Sequence, residues 1–240
     1  MSKGKLEKFA MIKAYKNCVE PTMEEVMENG IELKGEWNNK FFKNNNPITV
    51  ELACGGGEYT VGMAEMYPDR NFIGVDIKGN RIWKGATKAI DKKLNNVGFL
   101  RTRIDFIANC FAKNEVDEIW ITFPDPQKNK NRRRKRLTNK LFLARYQKFL
   151  KPEGKMRLKS DSTFFYEFTK EIILEKNLEI LFDCDDIYTK YIPQNPNSQL
   201  AKELSLKTFY ENMWLESGKT IKYIEYNLAN LKIEKDESLF

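Results

Sequence analysis

The alternation of short β-branched or aromatic runs with longer helical patterns between Ile48 and Asp161 constrains this chain more than any other feature. Strands are predicted near Ile48 to Ala53, Asn71 to Ile77, Val97 to Arg101, Glu118 to Phe123 and Lys155 to Ser160. The gaps at Tyr59 to Met66, Asn80 to Lys93, Phe106 to Ala112 and Asn139 to Leu150 read as helices, punctuated by Pro68 and by Pro152-Glu-Gly154. Strands that each return through a helix build a doubly wound, mostly parallel sheet. Past Asp161 the pattern predicts a helix over Thr163 to Lys176, a strand near Leu178 to Asp183, a loop holding Pro193 and Pro196, and a last strand near Ile221 to Leu228. The 240 residues suffice for one large α/β domain or two small ones. We expect one domain spanning 47–240, with 1–46, including Lys34, Gly35 and Trp37, as an extension packed on it.

The chain has no histidine, which removes Ser-His-Asp triads, HExxH zinc sites and imidazole bases. Its chemistry must rest on carboxylates, hydroxyls and a cofactor. Cys18, Cys54, Cys110 and Cys184 are scattered without a CxxC pair and read as reduced thiols, so no metal is expected. Asp183, Asp185 and Asp186 are acids in a turn after a strand, which solvent usually satisfies. No segment has the length or apolarity of a signal core or a membrane span, so a cytoplasmic protein is expected. A formal charge of +7 favours a polyanionic partner.

The run VELACGGGEYT puts glycines between a predicted strand and a helix, where backbone can approach a ligand closely. Glu51 precedes the loop, and Asp76 ends the next strand, where an acid can hold a ribose hydroxyl pair. Gly55 and Gly57 could open a GxGxxG, but Thr60 stands where a dinucleotide motif needs its third glycine. S-adenosylmethionine has no pyrophosphate and does not need that geometry. Seven strands, the last pair joined by a long connection, also fit a methyltransferase sheet better than a dinucleotide-binding one. Asp105, after the third strand, is placed either beside an adenine or as a helix N-cap.

After the fourth strand comes FPDPQKNKNRRRKRLT, in which two prolines confine the backbone around Asp125. This strand end lies on the rim where such sheets bind ligands. The block Arg132, Arg133, Arg134, Lys135 and Arg136, with Lys128 and Lys130 ahead of it, reads as a phosphate grip or as a solvated face.

With VELACGGGEY, NFIGVDIKGNRIWKGA, FPDP and its basic run ending in KRLT, LKSD and TFYE in order over Pro47 to Leu228, the chain closely resembles the bacterial tRNA (guanine-N(7)-)-methyltransferase family. The resemblance implies an α/β, Rossmann-like class I S-adenosylmethionine-dependent methyltransferase fold with a seven-stranded, mostly parallel sheet and helices on both faces. It implies methyl transfer to N(7) of a guanine in the tRNA variable loop, position 46 in the family. S-adenosylmethionine would be the cofactor and tRNA the partner, with the enzyme a monomer or homodimer. Glu51, Gly55, Gly57, Asp76 and Asp105 would bind S-adenosylmethionine, and Asp125 would be the active-site aspartate. Asp125, Asn129, Asp161, Thr208 and Glu211 would face the substrate. The chain departs from the family pattern at Ala53 for a first glycine, Gln127 for a tryptophan and Asn129 for a lysine, so Lys128 or Lys130 could take over a contact.

Overall fold

The computed structural model describes residues 3–28 and 30–232. Residues 1–2, Asn29 and 233–240, which the expected extension and domain include, lie outside the described residues. Two compact units divide the chain, Met1–Val116 and Asp117–Phe240.

The first unit contains α1 (Lys3–Ala14), β1 (Cys18–Val19), α2 (Met23–Glu28), β2 (Ile48–Leu52), α3 (Glu58–Met66), β3 (Asn71–Asp76), α4 (Gly79–Asp91) and β4 (Val97–Arg101). Its strands run in the order β1-β4-β3-β2, all pairs parallel. Every residue of β2 and β3 is buried, as a parallel strand covered on both faces requires. The register Leu52↔Val75 and Asp76↔Arg101 sets the ends of β2, β3 and β4 side by side, so the loops that follow emerge along one edge. The segment before β2 belongs to this unit: β1 pairs with β4 at Cys18↔Phe99, and α1 sets Phe9 and Ile12 against Gly79 so closely that a Cβ there would come 2.6 Å from Ile12 Cδ1.

The second unit holds β5 (Val116–Thr122, which begins at the boundary), α5 (Lys140–Gln147), β6 (Leu150–Ser160), α6 (Thr163–Glu175), β7 (Ile180–Cys184), α7 (Gln199–Leu204), α8 (Phe209–Glu216) and β8 (Lys222–Asn227), its strands ordered β5-β6-β8-β7. β8 runs antiparallel to both β6 and β7. The α/β class therefore stands, with eight strands among the described residues instead of seven. The extra one, Cys18–Val19, is two residues long, too short to show any periodicity in sequence. The helix expected over Phe106 to Ala112 is instead a 3₁₀ turn, Ile104–Asn109, in which Phe106 N–H bonds Arg103 O and Cys110 N–H bonds Ile107 O at the turn's end. Only Ile107 in this turn is buried, so a longer helix would have no apolar face to seat.

Candidate active site

Beyond β2 the backbone turns through Ala53 (φ 58), Gly55 (φ 58) and Gly57 (φ 68), all left-handed. The two glycines do different work. A Cβ on Gly57 would lie 2.6 Å from Phe99 Cε1, so this residue is small because a core ring packs on it. A Cβ on Gly55 would meet nothing within 4 Å, so here the backbone borders open space that a ligand can enter.

Asp76 fastens this loop to the next one. Its Oδ2 accepts from Gly55 N–H at 3.0 Å and its Oδ1 from Lys78 N–H at 2.8 Å. Glu51, inside β2 and buried, accepts from Thr60 N–H at 2.9 Å and, in a still shorter bond, from the Thr60 hydroxyl, which ties the strand to the first turn of α3. Burial, and then the charges of Glu51, Asp76 and Glu58, push the Cys54 thiol well above its ordinary pKa. Burial is the larger cause of that rise, and the three carboxylates beside the loop add negative charge to it. Such a field repels a pyrophosphate and attracts a sulfonium or an ammonium, so the residues present fit S-adenosylmethionine. Asp105 is exposed in the 3₁₀ turn and pairs with Arg103 at 3.4 Å. It caps nothing, because Arg103 occupies the N-cap position and makes no side-chain cap bond.

In the second unit, Asp125 is exposed on the loop after β5, and its Oδ1 accepts from Gln127 N–H at 3.0 Å. Phe123 (φ 49) and Gln127 (φ 46) bracket it in left-handed conformations. A bulky residue rarely adopts that region, and such strain concentrates at functional sites. Among the described residues no ion pair meets Asp125. Asp161, following β6, accepts from Lys219 Nζ at 2.9 Å. Capping of α6 falls to Ser162, whose hydroxyl accepts from Phe165 N–H at 3.2 Å.

The basic run divides. Lys128, Lys130, Arg132, Arg133, Arg134 and Lys135 are exposed. Arg136 is not: it is 5% exposed, its guanidinium lies 4.6 Å and 4.5 Å from the Phe164 and Phe168 ring centres, and its Nε donates to Gln127 O at 3.1 Å. The expected phosphate contact from Arg136 is therefore corrected: this residue fastens the segment to α6 and to the Asp125 loop. Asn129 also has a local task, since its Oδ1 accepts from Asn131 N–H at 2.9 Å and caps the 3₁₀ turn Lys130–Lys135.

Thr208 and Glu211 form a capping box at the start of α8: Thr208 Oγ1 accepts from Glu211 N–H at 3.2 Å, and a Glu211 oxygen accepts from Thr208 N–H at 3.3 Å. Glu211 is 0% exposed and paired at 2.7 Å with Lys159, itself 0% exposed. Tyr188 donates to the same carboxylate at 2.8 Å. The expectation that Glu211 faces a substrate is thus corrected, because its carboxylate is enclosed by protein. Sequence reasoning missed Lys159 as its partner, although a lysine in the predicted strand Lys155 to Ser160 was the available signal. It also missed Lys219 and the buried set in which Arg157 meets Glu118 at 2.7 Å and Glu225 at 3.2 Å, with Glu203 on its other nitrogen.

A doubly wound α/β sheet whose first loop is open at Gly55, ringed by acids and unsuited to pyrophosphate defines an S-adenosylmethionine-dependent methyltransferase. The fold is similar to that of the solved 16S rRNA methyltransferase KamB, with a TM-score of 0.58 at 12% identity over 79% of this chain and 91% of that one. Residues 45–224 match the family model Methyltransf_4, described as "Putative methyltransferase". The chain is 48% identical over 228 residues to the tRNA (guanine-N(7)-)-methyltransferase of Christiangramia forsetii, covering 95% of this chain and 99% of that protein. It is 47% identical to the protein of the same name in Bacteroides thetaiotaomicron, over 95% of this chain and 87% of that one. The chain belongs to the tRNA (guanine-N(7)-)-methyltransferase family. No described helix is long and apolar enough to cross a membrane.

Proposed function

We propose that this protein methylates N(7) of a guanine in tRNA, position 46 of the variable loop, and does so in the cytoplasm. The observation that carries the reading is the strained Phe123–Gln127 loop, which presents an exposed, unpaired Asp125 at the head of a basic run. Bound S-adenosylmethionine supplies an electrophilic methyl on a sulfonium. Gly55, Glu51 and Asp76 would hold it, with Asp105 beside its adenine.

Guanine N(7) carries an in-plane lone pair and no proton, so the transfer needs alignment and charge stabilisation more than a base. A chain without histidine can meet that need. Asp125 and Asp161 would engage the guanine, with Thr208 nearby on its cap, and offset the positive charge that grows on the purine. The exposed lysines and arginines from Lys128 to Lys135 would grip phosphates. N(7) lies in the deep, narrow groove of A-form RNA, which favours a target in a loop.

The test is incubation with unmodified tRNA transcript and labelled cofactor, followed by nucleoside analysis. The reading expects 7-methylguanosine, with Asp125→Ala losing most turnover at nearly unchanged cofactor affinity. Another methylated product, or wild-type turnover in that variant, overturns it.

A further inference from the structure

The sequence that closes α8 reads ESGKTIKY, and its glycine and two lysines have separate tasks. Gly218 (φ 76) ends the helix in a left-handed turn. Its N–H bonds Leu215 O at 3.0 Å and Lys219 N–H bonds Trp214 O at 3.0 Å, the paired closure that satisfies the last carbonyls of a helix. The backbone of Lys219 is therefore fixed by α8. Its Nζ lies 5.2 Å from the Trp214 ring centre and reaches Asp161 Oδ2 at 2.9 Å.

Lys222 meets the same residue at its backbone. The register Ser160↔Lys222 sets it beside the end of β6, and its Nζ donates to Asp161 O at 3.3 Å, Thr220 O at 3.0 Å and Thr220 Oγ1 at 2.7 Å. All three protons of that ammonium are thus used on protein. Asp161 is held twice, by its carboxylate and by its carbonyl. The Lys219 pair is no ordinary surface bridge, because the acid side chain is only 15% exposed, although that of the lysine is 48%. Among the described residues Asp161 Oδ1 has no hydrogen bond, so the lysine fixes one oxygen and leaves the other available.

The two acids given to the guanine therefore differ. Asp125 accepts from Gln127 N–H and pairs with no cation among the described residues. A carboxylate paired with an ammonium is formally neutral, so compensation for the charge growing on the purine falls mainly to Asp125, and Asp161 is left to accept a hydrogen bond. A carboxylate only accepts, and guanine N(7) and O6 are acceptors too, so the partner for Oδ1 is an N–H on the edge of the base away from N(7).

We propose that Lys219 is a positioning residue for the methyl transfer: it clamps Asp161 Oδ2 so that Oδ1 meets a guanine N–H in fixed geometry. The proposal rests on the tRNA-methylating reading, in which Asp161 engages the guanine, and Lys219 acts in it through Asp161 and not through a phosphate.

The experiment measures steady-state 7-methylguanosine formation, and tRNA binding at several salt concentrations, for wild type, Lys219→Met, Lys219→Arg, Asp161→Asn and the double variant Lys219→Met with Asp161→Asn. Methionine keeps an unbranched side chain of similar length and removes the charge. Lys219→Met should lower kcat about 10- to 100-fold, because a misplaced partner costs rate more than binding. The Kd for tRNA and its salt slope should match wild type, since no phosphate contact is lost. Lys219→Arg keeps the ion pair and should recover most of the rate. A residue that acts only through Asp161 has nothing to hold once that carboxylate is gone, so the double variant should turn over as slowly as Asp161→Asn and no slower. Wild-type kcat in Lys219→Met would overturn the proposal, as would a Lys219→Arg protein no faster than Lys219→Met. A double variant slower than Asp161→Asn by the full Lys219→Met factor, or a salt slope lowered by roughly one unit in Lys219→Met, would overturn it too. Wild-type protein that forms no 7-methylguanosine, or full turnover in Asp161→Asn, would instead refute the underlying reading, so the two failures are distinct.

Discussion

Replacing Glu211 by alanine tests whether its carboxylate is a structural anchor. The change removes the partner of a fully buried Lys159 ammonium, which keeps the carbonyls of Leu204 at 2.7 Å and Leu206 at 2.9 Å. It also deletes one arm of the capping box and an acceptor of the Tyr188 hydroxyl. Breaking a buried pair by removing one partner costs about 3–5 kcal/mol. Losing the reciprocal cap adds roughly 0.5 kcal/mol or more, for a total near 4 kcal/mol. For a chain of this size that corresponds to a fall of about 8–16 °C in thermal midpoint. Urea unfolding with matched m-values measures the same loss at constant temperature. Glu211→Gln keeps a hydrogen-bonding shape without the charge, and should lose about 3 kcal/mol. The double change Lys159→Met with Glu211→Leu, which leaves no buried charge, should recover most of the stability. A loss below about 1 kcal/mol in Glu211→Ala, or a Glu211→Gln protein with a wild-type midpoint and abolished turnover, would refute this reasoning and return Glu211 to the substrate.

Gly55→Ala should weaken S-adenosylmethionine binding in calorimetry while lowering the midpoint by only a few degrees, whereas Gly57→Ala should lower it far more, because its Cβ meets Phe99 at 2.6 Å; equal midpoints would show that the two glycines do the same work. Ala53→Gly should stabilise the free protein by about 1 kcal/mol by releasing a left-handed alanine, read from the shift of the urea midpoint at constant m; a destabilised protein would show that φ 58 carries no strain there. Changing Arg132, Arg134 and Lys135 together to alanine should raise the Kd for tRNA and flatten its salt slope by up to about three units, while Arg136→Ala should lower stability; superimposable salt curves would leave the exposed block without a phosphate role.

What could be read from sequence followed the local character of each signal. The seven predicted strands are present because each is a run of five or more residues with apolar, β-branched or aromatic character; in six of them that character reflects burial, while β7 is exposed or half-buried along its length. β1 escaped because two residues carry no period, and its strand character comes from the parallel neighbour Phe99–Leu100. The positions of the acids at the first loop were legible for a similar reason: Glu51 lies one residue before the end of β2 and Asp76 ends β3, where position along the chain nearly fixes position in space. Glu211 was not legible. Its motif places it three residues from Thr208, but the ammonium that holds it comes from Lys159, and no spacing in a linear sequence announces a pairing across so many residues. Arg136 shows the same limit. Arg133 also lies over Phe168, at 5.5 Å, but Arg136 alone of the five combines that ring with Phe164 and a bond to Gln127 O among the described contacts.

Arg136 and Glu211 both lend rigidity to the second unit. A base held for in-line transfer needs side chains that do not move as charge develops, and that rigidity has to come from buried contacts. Arg136 ties the Asp125 loop down at Gln127 O, while Glu211 and Lys159 tie down the turn that carries Thr208. Residues expected from sequence to touch RNA thus hold in place the segments proposed to touch it. Their loss should lower turnover through misplacement of Asp125 and Thr208, leaving the salt dependence of binding unchanged. A weakened salt slope in Arg136→Ala would contradict that division of labour, since only a lost phosphate contact changes the number of counterions released.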